Sequence, residues 1–109
     1  MVSALLTFSQ IETRVATNAA QALSLTEAEY FDLYLLEAWL PDVDGFELCR
    51  QLRHANPATP ILFFSGAAYE ADKKRGLAAG ADAYVNKPDI LALLRSITYY
   101  VSPVLVAAA

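Results

Sequence analysis

The chain has one cysteine, Cys49, one histidine, His54, only four glycines, and eight lysines and arginines in 109 residues. A single cysteine excludes an internal disulfide and fits a reducing compartment. No His/Cys pairing suggests catalysis, so Cys49 is expected to be a small apolar core residue. Cations are scarce beside twelve acidic residues. The net charge of −4 and pI of about 4.7 argue against a nucleic-acid-binding face. Two cationic clusters, Arg50-Arg53-His54 and Lys73-Lys74-Arg75, are too short for such a patch and read as solvated helix faces. Long apolar runs are also absent. The stretches 33–36 and 60–64 fall far below the ~20 residues a membrane-spanning helix needs. The opening MVSALLTFSQ has no basic n-region and no cleavage site, so no signal peptide is expected, and the chain reads as cytoplasmic. There is no Gly-rich phosphate loop and no nucleophile–base pair, which makes an enzyme on this scaffold only a remote alternative.

What is present is apolar side chain: 56% of residues are hydrophobic and the mean hydropathy is +0.32. That excludes a disordered chain and suffices for one buried core, so residues 1–109 are expected to form one domain. Strand-like and helical patterns alternate. Residues 14–17 are a weak strand candidate, and 19–29 form a helix capped by Asn18. FDLYLLE, residues 31–37, is a buried strand ending in a carboxylate, followed by a Pro41 loop. Asp44 and Glu47 have capping-box spacing and open a helix that Asn56-Pro57 ends. ILFFS, residues 61–65, is a second buried strand. A helix over 72–79 closes at Gly80, a strand covers 81–86, and Asp89 caps a helix over 90–100. Alternation of this kind implies a parallel α/β sheet, doubly wound in three layers, with its chemistry at the carboxyl ends of the strands. Those ends bring together Glu37, Ser65 and Asn86-Lys87-Pro88.

The segments FDLYLLEAWLPDVDGFELCRQLR, TPILFFSG and GLAAGADAYVNKP resemble the receiver (CheY-like) domains of two-component response regulators over residues 10–97. The resemblance implies a phosphoryl group passed from a histidine kinase to an aspartate, with Mg²⁺ neutralising charge and a lysine holding the phosphoryl oxygens. By position it makes Ser65 the switch hydroxyl, Lys87 the phosphoryl-binding lysine and Tyr84 the aromatic switch. Pro88 is the proline that follows the lysine, Gly45 starts the helix after the phosphoacceptor loop, and Trp39 sits where a backbone carbonyl binds metal. Glu37 stands in place of the phosphoacceptor aspartate.

Two departures bear on mechanism. Glu37 places its carboxylate roughly 1.5 Å further out, one C–C bond, where about 1 Å of misplacement can cost on the order of a hundredfold in rate. It can instead reach Lys87. The family's first strand, with its Mg²⁺-binding acidic pair, is missing: residues 1–9 resemble only the end of the first helix. Asp42 and Asp44 are better explained as turn and N-cap residues, so no Mg²⁺ site is expected. The missing strand is central in the family's order 2-1-3-4-5. The apolar tail 101–109, with Val104-Leu105-Val106-Ala107 as the strand candidate, is expected to fill that slot in its own chain or in a partner's. The expected function is a pseudo-receiver that signals by protein contacts, to a histidine kinase or another signalling protein. A homodimer would form through the face of residues 72–79, 81–85 and 90–100 or through an exchanged tail. A shortened form of a phosphorylatable regulator is the alternative.

Overall fold

The computed structural model describes residues 12–66, 69–87, 89–100 and 105–108; the expected first-helix remnant at 1–9 and Pro88 lie outside them. In chain order the elements are β1 (Glu12–Val15), α1 (Ala19–Ala28), β2 (Leu33–Leu36), α2 (Gly45–Ala55), β3 (Ile61–Ser65), α3 (Glu70–Ala78), β4 (Ala83–Asn86), α4 (Ile90–Tyr100) and β5 (Leu105–Ala108). The expected alternation is present, with shifted boundaries: β1 begins at Glu12, α3 begins at Glu70, and β4 begins at Ala83.

The sheet order is β1-β5-β2-β3-β4, and every pair is parallel. Here β5 fills the central slot, one residue later in sequence than the tail pattern suggested. Glu12 pairs with Leu105 on one side, and Leu33 pairs with Val106 on the other. The physical reason is that a parallel strand between two others needs both of its edges bonded, because unpaired backbone groups inside a covered sheet are costly. The chain after α4 supplies those groups.

Burial of both sheet faces explains the near-continuous apolar strands. Tyr34, Leu36, Ile61 and Phe63 pack on one side with Phe46, Leu48, Cys49 and Leu52 of α2 and Ala19 and Ala22 of α1. Leu33, Leu35, Leu62, Phe64 and Val85 pack on the other with Leu93 and Ile97 of α4. Period-two alternation within β2 and β3 therefore divides one apolar run between two cores. Cys49 is fully buried, and burial pushes its thiol up to about 11.

Caps hold the helices in place. Asn18 accepts from the Gln21 N–H at 2.8 Å, Asp44 from the Glu47 N–H at 2.8 Å, and Asp89 from the Ala92 N–H at 3.0 Å. Glu47 does not complete the capping box: its carboxylate turns to Arg50 and Gln51. Gly80 takes φ +114°, a left-handed turn that a side chain would strain.

Two expectations about charged residues need correction. Arg53 is not simply on a solvated face. It donates to the carbonyls of Gly80, Pro57 and Thr59 and to Asp82 at 2.8–3.0 Å, tying the end of α2 to the starts of β3 and β4. Asp42 does more than form a turn. Its carboxylate accepts from the Ala19 and Ala20 N–H groups at 2.8 and 2.9 Å, capping α1 from the loop after β2.

Those two backbone hydrogen bonds hold the Asp42 carboxyl below the usual carboxylate range. A carboxyl group lowered in the folded state stabilises it above the unfolded value of about 3.9 and loses that contribution as pH falls through the lowered value. The protection factors of the Ala19 and Ala20 amides, taken against the intrinsic exchange rate at each pH, are expected to fall on acidification below about pH 4, and Asp42→Ala to abolish that change. A chain ending at Tyr100 is expected to lose exchange protection in β1, whose recorded strand partner is β5. Unchanged protection and melting temperature would show that β5 is not a core strand.

Candidate functional site

The carboxyl ends of β2, β3 and β4 point to one edge of the sheet, as a parallel arrangement requires. Glu37 follows β2, Ser65 ends β3, and Lys87 follows β4. The Glu37 and Lys87 side chains form an ion pair between Oε1 and Nζ. Both are partly exposed, at 32% and 41%, so the pair is solvent-screened and contributes on the order of 0.5–1 kcal/mol. The Lys87 ammonium also lies 5.7 Å from the centre of the Phe64 ring, and the Lys87 N–H donates to the Ser65 carbonyl at 3.0 Å. The register Ser65↔Asn86 holds the two strand ends level.

Ser65 is 1% exposed and is hydrogen-bonded to the Tyr84 hydroxyl. Burial raises the Tyr84 phenol above its ordinary value, and the Ser65 hydrogen bond opposes that rise. The Tyr84 ring stacks on Phe63 at 5.2 Å and 17°. Phe63 in turn meets Phe46 at 5.2 Å, and Phe46 meets Trp39 edge-on at 6.0 Å. An aromatic row thus runs from the exposed Trp39, two residues after Glu37, to the hydroxyl pair. Gly76 of α3 makes room for it, because a Cβ there would come within 2.9 Å of the Tyr84 ring. Asn86 Oδ1 is buried without a hydrogen-bond partner among the described residues.

Gly45 fixes the loop geometry. Its N–H donates to the Ala38 carbonyl at 2.7 Å, and a Cβ would overlap the Glu37 carbonyl oxygen. Trp39 and Asp44 form a further antiparallel bridge that closes the loop. The backbone carrying Glu37 is thus pressed against the start of α2.

The residues do not fit a Mg²⁺ ion. No group of three or more His, Cys, Asp or Glu side chains converges among the described residues. Glu37 is paired with Lys87, Asp42 with the start of α1, and Asp44 with the Glu47 N–H and Arg75. The central slot, which in the resemblance ends in the acidic pair, is filled here by the sequence Leu-Val-Ala-Ala.

The structure thus brings together Glu37, Ser65, Lys87 and Tyr84, with Trp39 in the adjoining loop and Gly45 at the start of α2. Sequence reasoning missed Arg75. It lies 4.2 Å over the Phe46 ring and 3.5 Å from Asp44, clamping α3 to the loop that follows Glu37. The signal was only a cation within Lys73-Lys74-Arg75, and nothing in the spacing told an exposed arginine that reaches Phe46 and Asp44 from one that touches neither. Asp42 was missed because its partners lie 23 and 22 residues away.

A doubly wound parallel sheet with an acid, a hydroxyl and a lysine at the ends of adjacent strands defines a CheY-like receiver domain. The family model for the response regulator receiver domain matches residues 1–98. The chain therefore belongs to that family, the receiver domains of two-component systems. It is 51% identical over 57 residues to the transcriptional regulatory protein CreB of Escherichia coli, covering 52% of this chain and 25% of that protein. It is 42% identical over 73 residues to the alkaline phosphatase synthesis transcriptional regulatory protein PhoP of Bacillus subtilis, covering 67% and 30%. The matched segments span about a quarter to a third of these relatives. A CheY-like receiver domain from Methanospirillum hungatei superposes with TM-score 0.82 at 32% identity, over 90% of this chain and 79% of that one. A putative response regulator from Chloroflexus aurantiacus gives TM-score 0.86 at 26% identity, over 92% and 84%.

Gly45→Ala is expected to separate the Glu37 strand end from α2 and to cost on the order of 3 kcal/mol, read as a lower urea midpoint. An unchanged midpoint would show that the loop relaxes freely.

Proposed function

We propose that the chain is a pseudo-receiver. It presents a receiver surface to signalling proteins without needing phosphorylation, and Glu37 acts as a built-in acidic partner for Lys87. The observation that carries this reading is the Glu37–Lys87 ion pair. The lysine that in the family holds the phosphoryl oxygens is engaged by the carboxylate at the phosphoacceptor position. The inward Tyr84, stacked on Phe63 and bonded to Ser65, supports a switch held in one arrangement. Imitation of the phosphorylated state is partial, since a carboxylate lacks the −1.5 to −2 charge and three oxygens typical of a phosphoryl group.

The reading makes the domain a non-enzymatic, cytoplasmic signalling module; among the described residues no helix is long and apolar enough to cross a membrane. Its partners would be a histidine kinase or another signalling protein. A second copy could dock on the face of α3, β4 and α4, where Tyr69, Leu91 and Tyr99 are exposed. Tyr99 is 82% exposed.

Acetyl phosphate with Mg²⁺ is expected to leave the intact mass unchanged. Glu37→Asp alone is not expected to restore phosphorylation, because the slot beside β2 offers no acidic pair to hold the ion. A stoichiometric phosphoryl adduct on the unmodified chain would overturn the reading in favour of a phosphorylatable regulator.

A further inference from the structure

We propose that a cavity at the amino-terminal edge of the sheet binds a small organic cation, an alkylammonium or guanidinium group, at the far end of the strands from Glu37 and Lys87. The inference does not rest on the pseudo-receiver reading.

The cavity holds about 220 Å³. Its walls are the end of α1, the residues 29–31 that lead toward β2, Tyr34 of β2, and Asn56 and Thr59 between α2 and β3. At ~30 Å³ per water that space equals about seven waters, room for a group of roughly six heavy atoms. The floor is aromatic and fixed. Phe31 and Tyr34 are buried, with ring centres 6.4 Å apart and planes at 57°. The Tyr34 hydroxyl accepts from Asn56 Nδ2 at 2.9 Å and is hydrogen-bonded to Thr59. The exposed Tyr30 adds a third ring that solvent reaches.

The remaining wall is negative. The C-terminus of a helix carries about half a negative charge on its unbonded carbonyls and is stabilised by bases. α1 has no base in its last turn; it carries Glu27 there and Glu29 as its cap, and both line the cavity. Arg14 reaches Glu29 at 3.4 Å, but the two side chains are 44% and 36% exposed, so water screens the pair. Among the described residues Glu27 has no ion-pair partner. Arg53, the cation on the α2 side, is taken up by the Gly80, Pro57 and Thr59 carbonyls and by Asp82.

This lining selects one ligand class. An anion would face two carboxylates and the negative end of α1. A hard metal ion wants several converging oxygens, and no group of three His, Cys, Asp or Glu converges among the described residues. A neutral apolar group would lie against charged carboxylates and leave them unpaired. An organic cation suits both surfaces: its charge meets Glu27 and Glu29, and its body lies on the aromatic faces.

The test titrates the full chain with n-butylammonium and n-butylguanidinium and follows the amides by NMR. Saturable shifts are expected at residues 28–31 and at the Asn56 side-chain amide, with a dissociation constant of about 1 mM for a group of this size. A blocked Gly-Arg-Gly peptide that binds as tightly assigns the cation to a protein side chain; one that does not assigns it to a free molecule. Glu27→Gln combined with Glu29→Gln is expected to weaken binding at least about tenfold, and Arg14→Gln, which frees Glu29, to tighten it about two- to threefold. The comparison with n-butanol and butyrate uses the unaltered chain and does not depend on a variant folding. No saturable shift up to ~20 mM, equal shifts from n-butanol or butyrate, unchanged affinity in the double variant, or shifts centred on Glu37 and Lys87 would overturn the inference.

Discussion

The rest of the structure depends on the filling of one strand slot. β1 and β2 are not neighbours. Each faces β5, and the parallel ladders on its two sides join the β1-α1 unit to the other strands. A parallel sheet covered on both faces has no water to bond an open interior edge, so the slot must be occupied for the two cores to close. The segment that occupies it is apolar and carries no acid.

The site follows from how the strand ends are held. Gly45 presses against the Glu37 backbone, Asp42 reaches back to cap α1, and Arg75 lies over Phe46 from α3. The loop after β2 is thus pinned to three helices. Within that frame the carboxylate of Glu37, with its extra methylene, meets Lys87. Phe46, Phe63 and Tyr84 form the packed row beneath, with successive ring centres 5.2 Å apart.

Much of this was legible in the chain. Residues 61–65 read as a buried strand because ILFFS is continuous and bounded by Pro60 and Gly66, and β3 has those limits. Asn18, Asp44 and Asp89 were legible as caps because capping acts over three residues. Glu37, Ser65 and Lys87 were legible as one site because parallel strands place their carboxyl ends together. Boundaries were less so. β1 is four residues long, and its polar pattern carried no period to mark its start.

The sequence by itself determined the alternation of strands and helices, the local caps, and which side chains stand at the strand ends. These depend on contacts a few residues apart or on a repeating apolar pattern. The tertiary structure alone decided which way Arg53, Arg75 and Asp42 turn, because their partners lie on elements distant in sequence. It also decided that Leu105–Ala108 enters between β1 and β2. Four small apolar residues are compatible with many strand positions, and only the unpaired edges of a slot already shaped by the rest of the sheet select one.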